Sequence, residues 1–189
     1  MQTEQDASNA GVAPGGLTNR TEIRVLICYL LNAVDQPVPY SFLTDNLSGE
    51  GIANYFELCD AVINLEENGH ISSLIDTDGN KSYLITPSGA NIASTLEKSV
   101  PNSVRDRACS YIIKLLTRVR NEKENEVIIE PAEKGFTVTC RAIDGDKVLM
   151  SVSLLVPNEA CAGTVRESFL NNPTETFIKV TEALLDHKL

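Results

Sequence analysis

The chain has 189 residues, 42% of them hydrophobic, and a formal net charge of −10. That length suits one large domain or two small ones, with enough apolar side chains for a core. The acidic balance argues against tight non-specific binding to nucleic acid, and the longest aliphatic run, Val25 to Leu31, is far short of the ~20 residues that cross a bilayer.

No membrane association is therefore expected, and the amino end lacks the basic-then-apolar pattern of a secretory signal, so the expected location is cytoplasmic. Cys28, Cys59, Cys109, Cys140 and Cys161 are odd in number and widely spaced, with no Cys-x-x-Cys. They read as reduced thiols used as small hydrophobes. His70 and His187 lie far apart in the sequence, so no zinc site is expected from them, and no cofactor is implied. Charge is uneven: net −2 over residues 1–16, −7 over 17–100, +3 over 101–125 and −4 over 126–189.

Residues 1–16 are polar and read as a flexible arm. Asn19 with Glu22 forms a capping pair for a first helix running to about Val34, with Ile23, Leu26, Ile27, Leu30, Leu31 and Val34 as its buried stripe. Pro37-Val38-Pro39 reads as an extended link. A short second helix from about Tyr40 to Leu47 buries Phe42 or Leu43 with Leu47. After the Ser48–Gly51 turn, a third helix spans roughly Ile52 to Asn68. Its expected inner face is Ile52, Tyr55 or Phe56, Cys59, Val62 and Ile63; its outer face is Asn54, Glu57, Asp60, Asn64 and Glu67.

Asn68-Gly69 stops that helix, since a left-handed residue is cheap there. Ile71–Ile75 and Ser82–Ile85, joined by Asp78-Gly79-Asn80, form a hairpin, and Thr86-Pro87 opens a fourth helix. Three helices followed by a two-stranded wing is the order of a winged helix-turn-helix over residues 17–100, a scaffold mostly used to read duplex DNA.

Residues 101–125 form a long helix from Ser103 to about Glu124, with Val104, Ala108, Tyr111, Ile112, Leu115 and Val119 as an apolar stripe. It reads either as a linker packed on its own chain or as the contact of a homodimer. Residues 126–189 read as a small α+β domain. It has strands at Val127–Ile129, Phe136–Ile143 and Lys147–Val156, the last two joined at Asp144-Gly145-Asp146. Two helices cover this three-stranded antiparallel sheet: one from Glu159 to Leu170, and one opened by Asn172-Pro173 that buries Phe177, Ile178, Leu184 and Leu185.

The run Leu65-Glu66-Glu67-Asn68-Gly69-His70-Ile71, followed by Tyr83-Leu84-Ile85-Thr86-Pro87-Ser88-Gly89, resembles the recognition-helix end and wing of MarR- and PadR-type regulators. More closely, the chain from Leu17 resembles the domain of unknown function 4364 family. That likeness rests on Leu17-Thr18-Asn19, Leu30-Leu31 with Pro37, Asn54-Tyr55-Phe56 and the Thr86–Gly89 junction. It implies a winged helix followed by a small C-terminal domain.

The expected function is that of a dimeric transcriptional regulator binding double-stranded DNA, its C-terminal domain serving in sensing or assembly. Asn54 and Tyr55 would meet base edges and phosphate at the amino end of helix 3. Asn80 and Lys81 at the wing tip, Arg20 and Arg24 on helix 1, and Ser41 on helix 2 would contact the backbone. Against this, helix 3 carries Glu57, Asp60, Glu66 and Glu67 and no Lys or Arg. The alternative is a winged-helix protein-interaction module whose acidic helix 3 meets a basic partner. An enzyme is not expected: no Ser-His-Asp order, Cys-His pair, phosphate loop or metal spacing stands out.

Overall fold

The computed structural model describes residues 11–77 and 79–185. Residues 1–10 of the expected arm, Asp78 of the hairpin turn and His187 lie outside them. The protein is α+β, with two three-stranded antiparallel sheets. It divides into two compact units, Met1–Leu115 and Leu116–Leu189.

Unit 1 is organised around helix α1 (Arg20–Val34). Asn19 caps it, its Oδ1 accepting from Thr21 N at 2.8 Å and Glu22 N at 3.4 Å. The expected stripe is buried from Ile23 to Leu31, and Val25 and Cys28 are buried as well, because α1 has neighbours on more than one side. Each such aliphatic side chain contributes about 1.5–3 kcal/mol of transfer free energy. Burial also raises the Cys28 thiol pKa to about 11, so it stays a neutral core group.

The Pro37–Pro39 link is more than a connector. Val38–Pro39 is strand β1, pairing antiparallel with β3 (Lys81–Ile85) at Val38↔Tyr83 and Pro39↔Ser82. Proline is tolerated there because β1 is an edge strand. The second helix is a π-helical turn over Phe42–Asn46 followed by the short α2 (Leu47–Gly49). Leu43 and Leu47 are its buried anchors, and Phe42 is half-buried.

Helix α3 (Tyr55–Glu67) ends at Asn68, and Gly69 follows at φ 69°. Strands β2 (Ile71–Ile75) and β3 (Lys81–Ile85) complete the sheet in the order β1-β3-β2. Thr86 caps α4 (Pro87–Leu96), accepting from Gly89 N at 3.3 Å while its hydroxyl lies 2.8 Å from Gly69 O and 2.9 Å from His70 O. This junction requires glycine at 89, where a Cβ would run into the His70 carbonyl. A 3₁₀ turn over Glu97–Ser99 then leads to α5 (Asn102–Glu124).

The expectation of a free arm through residue 16 fails for its described part. Ala13 N donates to Gly51 O at 3.0 Å, Leu17 N to Ile52 O at 2.7 Å, and Leu17 is buried. Gly51 sits at φ 67° close under Ala13, which leaves no room for a side chain.

Unit 2 carries β4 (Glu126–Ala132), β5 (Gly135–Asp144) and β6 (Lys147–Val156), in that order across the sheet. A two-residue turn at Gly145-Asp146 joins β5 and β6 in the register Asp144↔Lys147, with a bulge at Ala142/Ile143. Val138, Cys140 and Ala142 share one face with Met150, Val152 and Leu154. The core is built from that face and from α6 (Glu159–Asn171), through Ala162, Phe169 and Leu170. The other face mixes polar pairs with apolar Ile128 and Leu155: Thr139 Oγ1 and Ser153 Oγ hydrogen-bond across the strands at 2.9 Å, and Arg141 pairs with Glu126 at 2.7 Å.

Within this unit the end of α5 is tied down by polar contacts. Asn121 Nδ2 donates to Leu170 O at 2.9 Å, and Arg118 pairs with Glu167 and Glu122. The last helix, α7 (Pro173–Leu185), departs from expectation. Only Pro173 is buried; Phe177 is half-buried, and Ile178, Leu184 and Leu185 are exposed.

Candidate functional site

The face of α3 follows from a single rotation of the helix about its axis. Leu58, Ala61, Val62 and Leu65 turn inward; of the expected inner face Ile52 and Val62 are buried, whereas Cys59 is half-buried and Tyr55, Phe56 and Ile63 are exposed. Both sets have helical spacing, so the winner is decided by packing against α1 and β2. In consequence an apolar stripe faces solvent. Tyr55, Cys59 and Ile63 recur every fourth residue, with Phe56 beside them; Phe56 is 75% exposed, Ile63 49% and Tyr55 37%. Tyr55 and Phe56 contact edge to face, with ring centroids 5.5 Å apart. Cys59 is half-buried, and its hydrogen bonds push up the pKa of both the Tyr40 and the Tyr55 hydroxyls. Exposed Asp60 and Glu67 border the stripe.

The residues expected to contact DNA are mostly engaged elsewhere. Asn54 does not face outward: it is 7% exposed and caps α3, its Oδ1 accepting from Phe56 N at 2.9 Å. A cap is the role its position at the helix start favours. Arg20 pairs with Glu57 through Nε–Oε2 at 2.8 Å, while Nη2 donates to Oε1 at 3.1 Å. The Arg24 side chain is half-buried. Asn80 folds onto its own turn, with its backbone N and Nδ2 donating to the two Asp76 carboxylate oxygens at 2.8 Å and 3.1 Å. Ser41 and Tyr55 remain exposed.

Lys81 is tied to α3. Its Nζ donates to Glu66 Oε2 at 2.8 Å and lies 5.0 Å from the centroid of the Tyr83 ring. The same carboxylate accepts from Tyr83 Oη at 3.0 Å and from Ser73 Oγ at 2.7 Å. These donors, the Lys81 hydrogen bond above all, lower the Glu66 pKa; the Glu66 hydrogen bond raises that of Lys81. Glu66 thus locks the hairpin to α3. Neither this anchor nor the outward Phe56–Ile63 stripe was singled out from the sequence. The sequence signal for this face is that Leu58, Ala61, Val62 and Leu65 are as periodic as Tyr55, Cys59 and Ile63.

The expected dimer positions separate. Val104, Ala108 and Ile112 are buried in the single chain, so they are core rather than surface. Tyr111, Leu115 and Val119 are half-buried. No described helix is long and apolar enough to cross a membrane.

Neither the comparison with curated proteins nor that with solved structures gives a match. A family model described as "Domain of unknown function (DUF4364)" matches residues 23–184, and the chain belongs to that family.

Proposed function

We propose that unit 1 is a winged helix acting as a protein-interaction module, with the solvent face of α3 as its docking surface. The observation carrying this reading is the exposed apolar stripe of Tyr55, Phe56 and Ile63 on the helix that such a scaffold uses for recognition. Apolar side chains gathered on one exposed face mark interaction sites far more often than scattered ones do. Anchors spaced by four residues suit a partner that offers a groove or an amphipathic helix.

Charge selects the partner. Asp60 and Glu67 border the stripe, and residues 17–100 carry net −7. A second copy would set like charges against each other, whereas a basic partner would be complementary. Duplex DNA is disfavoured for the same reason. Its firm binders make roughly six to ten phosphate contacts, while this segment has four bases, of which Arg20 and Lys81 already pair with carboxylates.

A direct test uses a labelled helical peptide with leucines on one face and lysines on the other, titrated against the full chain at physiological salt. Saturable one-to-one binding is expected, weakened at least tenfold by Phe56→Ser with Ile63→Ser. Equal binding by the double variant would place any docking elsewhere.

Duplex reading through the amino end of α3 and the segment before the Phe42–Asn46 turn is the second proposal, favoured by the exposure of Tyr55 and Ser41. A hydroxyl at a helix amino end can meet phosphate there. On either reading the molecule is a regulator, and unit 2 is its sensing or assembly part.

A further inference from the structure

The covered face of the unit 2 sheet is incompletely filled. Between β5, β6, α6 and α7 lies a cavity of about 370 Å³, lined by Cys140, Met150, Val152, Leu154, Phe169 and Val180. Its origin is legible in α6. The first turns of that helix, Ala160-Cys161-Ala162-Gly163-Thr164, offer little side-chain volume to the sheet. The final helix, with Phe177 and Val180 half-buried, does not close it either.

The lining restricts the ligand. No Asp, Glu, Lys or Arg lines the cavity. Burial raises the Cys140 thiol pKa, so that group is neutral at physiological pH. A charged ligand would be desolvated there without a counter-charge. Polarity is confined to three hydroxyls, on Thr164, Ser168 and Thr176. Thr164 Oγ1 donates to Ala160 O within α6, and Thr176 Oγ1 to Asn172 O just before α7, both at 3.0 Å. Their lone pairs are left to accept from a ligand N–H or O–H. The volume sits within the roughly 300–1,000 Å³ range of small-molecule sites. It is more than twice the ~150 Å³ cavity that admits benzene.

We propose that this cavity binds an uncharged apolar small molecule of two to three rings, or an aliphatic chain of like volume, with one hydrogen-bond donor. The inference is independent of what α3 recognises.

The test is a titration of the full chain with N-phenyl-1-naphthylamine, a neutral aromatic amine whose fluorescence rises in apolar surroundings. Saturable one-to-one binding is expected. Ser168→Trp, placing a large ring at the exposed edge of the cavity, is expected to weaken it at least tenfold. Ser151→Trp, on the opposite face of the same sheet, is expected to leave it within twofold. Far-ultraviolet circular dichroism checks that both variants fold. Val180→Phe, which fills the cavity from α7, gives a second reading if Ser168→Trp does not fold. Absent or non-saturable binding overturns the proposal, as does an equal effect of the plugging and control substitutions.

Discussion

Glu66 Oε2, on α3, holds the Lys81 ammonium at 2.8 Å and accepts from the Tyr83 hydroxyl at 3.0 Å, so one carboxylate fixes the hairpin against that helix. That arrangement engages Lys81 in an ion pair while its side chain stays partly exposed. It also makes unit 1 acid-sensitive in a defined direction.

The Glu66 pKa is lowered from 4.5, first by Lys81 and then by Ser73. A lowered folded-state value means that stability is complete above the ordinary carboxylate pKa and is lost as pH falls through the lowered one. Glu66→Gln is expected to cost about 1 kcal/mol at pH 7, allowing for the screening of a part-exposed pair. It should also remove that share of the acid sensitivity below pH 4.5. Urea unfolding at pH 7 and pH 3.5 measures both, and parallel losses at the two pH values would exclude the anchor.

Asn54 is a cap, and its substitution reports on stability. Asn54→Ala is expected to destabilise unit 1 by ~1 kcal/mol, with Asn54→Asp recovering most of it. A midpoint unchanged in the alanine variant would remove the cap assignment.

The rotation of α3 is testable at two positions two residues apart. Leu65→Ala, in the core, is expected to cost about 2–5 kcal/mol, whereas Ile63→Ala, on the solvent face, should stay within about 0.5 kcal/mol. Thermal unfolding separates these outcomes, and the reverse order would restore the other register.

Gly135 opens β5 at φ 98°, and a Cβ there would run into the Val156 carbonyl. Gly135→Ala is therefore expected to destabilise unit 2 by about 3 kcal/mol. Gly145→Ala, at φ 58° with open space around it, should cost less. Equal denaturation midpoints for the two variants would contradict this difference.

The sequence made long periodic elements visible because their spacing, caps and stops agree. Asn19, the Asn68-Gly69 stop, Thr86-Pro87 and the turn after Asp144 each act through neighbouring backbone, so a local reading finds them. What escaped depends on tertiary choice. Helix α3 is apolar on two arcs, and packing against α1, the Phe42–Asn46 turn and β2 selects Leu58, Ala61, Val62 and Leu65 for the inside. Two-residue β1 is too short to show alternation, and its proline marks it as a link until Tyr83 pairs with Val38. A cap and an outward polar side chain have the same one-letter signature, so the sequence does not separate a base reader from a cap at Asn54. Ion pairs such as Arg20–Glu57 join residues 37 positions apart, so a local reading leaves these cations free.

The most direct measurement is a competition. Fluorescence anisotropy of the labelled leucine–lysine peptide bound to the full chain would be followed at physiological salt while a pool of the organism's own genomic fragments is added. A peptide that stays bound to the wild type, and binds the Phe56→Ser, Ile63→Ser variant at least tenfold more weakly, is the expected result. Displacement of the peptide by duplex, or selective binding of duplex with no peptide bound, would contradict protein docking at α3 and restore a DNA reader.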